Sequence, residues 1–363
     1  MTWVVRWRDP GGSQRKKAFT RLVEAKRFAA AVEADMARGQ YVDASNPITV
    51  VDYARQWAAS RPHRPTTARR TAGLIENHIA STRLGRRRLT ELKPSEVQGW
   101  ASDRATVLAP ATVRSLVGLL RSVYGAAVLD RIVPSSPVVR ISLPRVDRPR
   151  VVPLTVVEVR ALAEAMPARY RAMVITQAGL GLRIGELLAL RVDDVDFLRR
   201  TVRIEYQFTS GSKVRSEPKT PRSRRTIPAP RVVLQSLAEH LAAHPAGADG
   251  TVFTTTAGTP LGHMYYGHQL FRRAVAAAGL PAGTTSHDLR HHFASLLLAA
   301  GESIIAVAER LGHEDASLIL STYGHLMPDS EDRTRRAVDA AWDDGAFSCA
   351  PDVPHGLRSP FSH

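Results

Sequence analysis

The sequence predicts an α+β chain that is mainly helical, with three domains in series. Three observations carry this. Most of the 363 residues fall in segments where apolar side chains recur every three or four positions, the period of a half-buried helix. Strict alternation, the mark of a strand, is confined to short runs near the N-terminus and around residue 200. Breaks rich in polar residues, proline and arginine fall at 43–47 and 134–150 and divide the chain.

Residues 1–45 read as a small β-sheet backed by a helix. Thr2 to Arg8 alternates, with Trp3, Val5 and Trp7 on one face. Asp9-Pro10-Gly11-Gly12 is a turn, and Gln14 to Thr20 is the return strand carrying Arg15, Lys16 and Lys17. Leu22 to Arg38 is an amphipathic helix ending at Gly39, and Asp43 to Pro47 is a linker.

Residues 48–145 read as all-α. Ile48 to Ser60 is the first helix. Thr66 or Thr67, after Pro65, caps a second that runs through Leu74, Ile75 and Ile79. Pro94 starts a third, with Val97 and Trp100 inward. Pro110 to Leu129 is the longest, with Val113, Leu116, Val117, Leu120, Val123 and Tyr124 at core spacing. Arg69, Arg70, Arg114, Arg121 and the basic loop Arg86-Arg87-Arg88 join Arg15, Lys16 and Lys17 as candidate phosphate contacts. A solvated basic face gives the same pattern. Pro134 to Arg150, with four prolines, is the next linker.

Residues 151–342 read as a mixed α/β domain. Thr155 caps a helix reaching Met166, and Tyr170 to Ala178 is a buried helix. The turn Gly179-Leu180-Gly181-Leu182 brings Arg183 to the start of the next helix, with Glu186 three residues on. A helix N-terminus favours an anion, and a guanidinium there adds a fork for its oxygens. Pairing of Arg183 with Glu186 in cis explains the same two residues. The glycines are not a nucleotide loop, since no Gly-Lys-Ser/Thr follows. Val192 to Phe197, Thr201 to Phe208 and Arg224 to Pro228 read as strands. Pro230 to Ala243 is a helix, Val252-Phe253 a short strand, and His263 to Ala278 another helix.

The densest stretch is Ser286 to Tyr323. Ser286 is placed at a helix N-cap, and Leu289, Phe293, Leu296 and Ala300 form an inward stripe. His287 and Arg290, three apart, share another face. A second helix carries Ile304, Val307, Ala308 and Leu311 inward. Gly312 sits where a left-handed C-cap belongs and delivers His313. A third helix, from Ala316, ends on Tyr323, ten residues after His313. Arginine forks bind phosphate oxygens, imidazoles move protons near neutral pH, and a tyrosine hydroxyl is a nucleophile once a base takes its proton. Taken singly, each residue also fits a capping or core role. Thr334 to Trp342 is a further helix, and 343–363, turn-rich, is expected to be disordered, with no role for Cys349.

The net charge of +16, carried mainly by arginine, implies a polyanionic partner, most simply nucleic acid. A single cysteine excludes an internal disulfide framework and a cysteine-rich zinc site. No apolar run reads as a membrane span and no signal peptide opens the chain, so a cytoplasmic protein without membrane contact is expected.

HDLRHHFAS, LGHEDASLILSTYGHL and, upstream, GLRIGELLAL resemble the signature boxes of the tyrosine recombinase (phage integrase) family, in family order across roughly residues 150–342. The resemblance implies a role for each matching residue. Arg183 and Arg290 stabilise the scissile phosphate, and Glu186 orients the site. His313 donates a further hydrogen bond, and His287 accepts or positions the nucleophile's proton. Tyr323 attacks phosphorus to give a 3′-phosphotyrosyl bond and a free 5′-hydroxyl. Lys219, in Glu217-Pro218-Lys219-Thr220, stands where the family places its general acid, and Lys213 is the competitor in the same long loop. The first segment resembles an arm-type DNA-binding domain. The helical segment resembles a core-binding domain that clamps the duplex opposite the catalytic one. The partners implied are double-stranded DNA attachment sites, a homotetramer on synapsed DNA and an accessory directionality factor. No cofactor and no metal are implied, because the phosphotyrosyl bond keeps the phosphoester energy for rejoining.

Two other classes compete. A zinc-dependent hydrolase would use His287, His291, His292 and His313. Against it stand the lack of His-Glu-x-x-His, the lack of an acidic third ligand, and Arg290 between the histidines. A non-catalytic sequence-specific DNA-binding protein would not need the complete set Arg183, Lys219, His287, Arg290, His313 and Tyr323. A topoisomerase would share the chemistry, but the basic N-terminal unit and the TYGHL ending favour an integrase.

Overall fold

The computed structural model describes residues 1–38, 41–43, 46–146, 150–218, 220–326 and 330–343. Two compact units divide the chain, Met1–Arg148 and Pro149–His363.

In the first unit, β1 (Trp3–Arg8) and β2 (Gln14–Phe19) form an antiparallel hairpin, with Trp3 opposite Phe19 and Arg8 opposite Gln14. Trp7 and Phe19 pack on Phe28 of α1 (Leu22–Ala37), at ring separations of 5.3 and 5.2 Å. The alternation Trp3, Val5, Trp7 thus turns its apolar face to the helix.

The α-helices α2 (Val50–Ser60), α3 (Pro65–Ile75), α4 (Pro94–Ala105) and α5 (Pro110–Leu129) follow. Thr49 caps α2 by accepting from the Asp52 amide. α3 starts earlier than the threonine signal suggests: Pro65 occupies its first turn and Arg64 is the N-cap. Proline's fixed φ suits that position, where its missing N–H costs nothing. Beyond Ile75 the helix widens into a π-helical turn over Glu76–Ala80. All six α5 residues expected inside are fully buried, with Trp100, Trp57 and Ile79 in the same core. Each such aliphatic burial is worth roughly 1.5–3 kcal/mol. α5 also corrects the expectation that no segment could span a membrane. By length and composition it is apolar enough, but seven of its residues are buried, six of them in this core.

The second unit holds α6 (Val156–Ala165), α7 (Arg171–Leu180) and α8 (Ile184–Leu188). Then come β3 (Val195–Asp196), β4 (Thr201–Ile204), β5 (Gln207–Phe208), β6 (Arg215–Ser216) and β7 (Arg225–Pro228). β4 lies between β3 and β7 in one antiparallel sheet, and β5 pairs with β6 in a second. The expected strand at Val252-Phe253 is instead a buried loop held by single bridges from Arg191 to Thr251 and Thr254 to Pro260. α9 (Arg231–Ala243) precedes a helix over 263–277, whose π-helical stretch Tyr265–Phe271 leads into α10 (Arg272–Ala277).

α11 (Ser286–Ala299), α12 (Ile304–Leu311), α13 (Ser317–Tyr323) and α14 (Ser330–Asp343) complete the chain. The cap of α11 is Thr285 rather than Ser286, and a reciprocal bond from Asp288 completes a capping box. Leu289 and Phe293 face inward as expected, but Leu296 is 43% exposed and Leu298 takes its place in the core. The tail expected to be disordered, apart from Asp343, and Cys349 with it, lie outside the described residues.

Candidate active site

Arg290 is the anchor of the site. On α11 it is only 1% exposed, yet it is charged, so its donors must find acceptors inside the protein. Nη1 donates to the Gly181 carbonyl at 2.7 Å, and Nη2 donates to the Leu311 carbonyl at 2.6 Å. Those carbonyls belong to the C-terminal ends of α7 and α12, where the helix dipole is negative. Both helices end on a left-handed glycine, Gly181 (φ 63°) and Gly312 (φ 66°). A Cβ on Gly181 would meet Phe293 at 2.4 Å, and one on Gly312 would meet Ser223 Cα at 3.2 Å. Gly181 has no room for a side chain, Gly312 has little, and the left-handed backbone disfavours one at both.

Arg290 Nη2 also meets His313 Nε2 at 2.9 Å. A guanidinium only donates, so Nε2 accepts and the His313 proton sits on Nδ1. Burial, then the charges of Arg290 and Arg183, push His313 down to about 4, which keeps it neutral. Burial and Arg183 likewise push Arg290 down to about 9, which leaves it protonated at neutral pH.

Arg183, the N-cap of α8, donates through Nη1 to Glu186 at 2.8 Å and through Nη2 to the Gly312 carbonyl at 3.0 Å. Its side chain is 32% exposed, against 1% for Glu186. A third arginine completes the cluster. Arg225 on β7 donates to both Glu186 oxygens, at 3.1 and 2.8 Å, and through Nε to the Arg310 carbonyl at 2.7 Å. Burial would raise the Glu186 carboxyl, but Arg225, Arg183 and Arg290 outweigh it and hold it at about 2. Three guanidiniums around one carboxylate leave two positive charges in surplus, which is a socket for an anion.

Tyr323 ends α13 and is 4% exposed. Its hydroxyl makes a 2.6 Å hydrogen bond with His291 Nδ1. The His287 ring packs edge-on to His291, at 4.7 Å between centroids, and it is His291 that meets the hydroxyl. Burial raises the Tyr323 phenol to about 12, against the pull of Arg290. His287 is exposed at its surface. Loss of hydration on its inner side, then His291 and Arg290, still push it down to about 4.

The structure therefore brings Arg183, Glu186, Arg290 and His313 together, the Arg183–Glu186 and Arg290–His313 pairs meeting at the adjacent carbonyls of Gly312 and Leu311, with Tyr323, His291 and His287 in a second set joined through α11. Lys219 lies outside the described residues, and Lys213 is exposed in the turn between β5 and β6. Among the described residues no group of three or more His, Cys, Asp or Glu side chains could hold a metal ion, so the zinc-hydrolase reading has no ligand set there. Of the DNA-contact candidates, Arg69, Arg70, Arg86, Arg114, Arg121, Lys16 and Lys17 are exposed. Arg15 is tied to Asp9 and Asp43, and Arg87 to Glu96, so these two are less available to phosphate. Arg88 is exposed and lies 3.5 Å from Glu91.

Sequence reasoning missed two residues of the site. Arg225 left a signal, because it alternates with Ile227 on the inward face of β7, and an inward arginine needs a buried acceptor. His291, which enters the sequence reading only as a zinc ligand, lies one helical turn from His287 on the same face.

Residues 153–329, which contain this whole cluster, match the phage integrase family. A prophage phiRv2 integrase of Mycobacterium tuberculosis is 30% identical over 276 residues, covering 74% of this chain and 72% of that protein. The integrase of Mycobacterium phage L5 is 29% identical over 277 residues, covering 74% and 73%. The fold matches the Tn1549 transposon integrase in complex with a circular intermediate DNA, with a TM-score of 0.70 and 24% identity over 81% of this chain and 99% of that one. It also matches a lambda integrase tetramer bound to a Holliday junction, with a TM-score of 0.61 and 18% identity over 90% and 93%. Family match and relatives together establish that the chain belongs to the phage integrase family of tyrosine recombinases, as a site-specific recombinase of the integrase type.

Proposed function

We propose that this recombinase breaks and rejoins DNA with Tyr323 as its nucleophile and the Arg183–Arg290–His313 cluster as its phosphate site. One observation carries the reading: the buried Tyr323 hydroxyl at the end of α13 is hydrogen-bonded to His291 of α11, next in sequence to Arg290, the anchor of a preorganised surplus of positive charge. Attack by the Tyr323 oxygen forms a phosphotyrosyl bond at the 3′ side of the break and releases a 5′-hydroxyl. Negative charge on the non-bridging oxygens grows in the transition state, where fixed donors act most strongly. Arg183 and Arg290 supply the main share, and His313 adds its Nδ1–H. Glu186 and Arg225 hold Arg183 in place. His287, at the open edge of the site, positions the reacting groups, and Lys219 protonates the departing 5′ oxygen. Rejoining reverses these steps on a new strand and needs neither metal nor nucleotide.

Around this centre, we assign 1–45 to arm-type DNA binding, 48–145 to core-site binding and 151–342 to catalysis. The exposed arginines Arg69, Arg70, Arg86, Arg114 and Arg121 are the phosphate contacts of the helical segment. The working form is a homotetramer on two synapsed attachment sites in the cytoplasm, with an accessory factor setting direction. A nicked suicide duplex tests the chemistry. Wild-type protein becomes covalently attached to DNA, whereas Tyr323→Phe binds the duplex and stays unattached. An adduct formed by that variant would remove Tyr323 as nucleophile.

A further inference from the structure

We propose that His291 is the group that takes the phenolic proton from Tyr323 as the tyrosine attacks DNA. The inference rests on the reading of Tyr323 as nucleophile and adds the identity of its base. Tyr323 needs one, because its buried hydroxyl is protonated at neutral pH. The geometry supplies it: His291 Nδ1 lies 2.6 Å from the hydroxyl oxygen, within the range for direct proton transfer. The two rings meet edge to face, at 5.5 Å and 62°, and the His287 ring packs on His291 in turn.

The surroundings suit a base. On its own helix His291 faces His287, whose ring packs on it, and the charges of Asp288 and Arg290. From α13 it faces Tyr323. Burial and Arg290 lower its proton affinity and Asp288 raises it, so the imidazole rests neutral and Nδ1 is open to a proton. Asp288 then offsets part of the charge on the imidazolium.

The step balances. The Tyr323 oxygen forms a bond to phosphorus, its proton passes to His291 Nδ1, and the bond from phosphorus to the 5′ oxygen breaks. The departing oxygen takes its proton from the general acid. On rejoining, the 5′-hydroxyl gives its proton back to the general acid and attacks phosphorus, the phosphotyrosyl bond breaks, and His291 returns its proton to the phenolate. His287, although the nearer match to the family's histidine position, is left to orient the phosphate.

The test uses full-length protein and single-turnover adduct formation on the nicked duplex. In His291→Asn, the amide can accept the tyrosine's hydrogen bond but cannot hold its proton. That variant is expected to bind DNA like wild type and to form adduct about a hundredfold more slowly, within the range for general base catalysis. In His291→Ala, added imidazole should restore part of the rate. The wild-type rate should fall with pH as the histidine protonates, and the Asn variant should lack that limb. An Asn variant within twofold of wild type would overturn the proposal, as would an Ala variant that imidazole does not rescue. An adduct formed by Tyr323→Phe would instead sink the nucleophile assignment, a separate failure.

Discussion

Arg225 and Glu186 form a two-pronged ion pair, Nη1 to Oε1 at 3.1 Å and Nη2 to Oε2 at 2.8 Å, with side chains 6% and 1% exposed. Glu186 thereby links a strand to the helix start that presents Arg183. Removing either partner strands a buried charge, which costs about 3–5 kcal/mol. Arg225→Gln and Glu186→Gln should each lower the melting temperature clearly and slow DNA cleavage. An unchanged melting curve for both would show that the pair is dispensable.

The same pair and the histidines fix how stability depends on pH. Glu186 has a folded pKa of about 2 against an ordinary 4.5. The native state therefore binds fewer protons than the unfolded one, and this stabilisation, complete above 4.5, is lost as pH falls towards 2. The imidazoles of His240, His263, His291 and His313 are also depressed, His313 to about 4 from 6.5. Their contribution has the same sign and is lost earlier, between 6.5 and 4 for His313. Melting temperature measured from pH 7 down to 4 should fall, and His313→Asn should flatten the slope. A level profile over that window contradicts the buried neutral histidines.

Arg183 and Arg290 should separate by their effects on folding. Each Arg→Ala change should cost about two to three powers of ten in cleavage rate, the scale for losing one transition-state donor. Arg183, a third exposed, should leave stability nearly intact, whereas Arg290→Ala leaves the Gly181 and Leu311 carbonyls without their donor and should destabilise the unit. Urea midpoints alongside adduct rates distinguish the two, and near-normal cleavage by either variant breaks the mechanism.

Much of this was legible in the sequence, and the misses have physical causes. The glycine C-cap before His313 could be placed because only a left-handed residue ends a helix that way. Arg183 at a helix start followed by Glu186 was legible for the same local reason. Non-local contacts were not. Nothing near Arg225 announces a carboxylate 39 positions away, and the contact of His291 with Tyr323 spans 32. Leu296 fits the helical period yet stays exposed, because packing partners and not period decide which edge of a stripe is covered. The cap of α11 moved by one residue because Thr285 and Asp288 form the reciprocal box that Ser286 cannot.

The general acid can be assigned by leaving group. Lys219→Ala should cleave poorly on an ordinary duplex and recover on one whose 5′ bridging atom leaves without a proton. Lys213→Ala should cleave both alike. Rescue of Lys213→Ala instead would exchange the two assignments.

Arg290 is satisfied only when the carbonyl ends of two helices far apart in the chain, at Gly181 and Leu311, meet around it. During synthesis the ribosome delivers Arg183 long before Tyr323. A nascent chain that has not yet reached Leu311 thus leaves the Arg290 guanidinium without its second carbonyl. The C-terminal stretch of the chain is therefore as much a part of the socket's foundation as the segment that carries Arg183, and a chain cut short before α12 leaves that foundation half built.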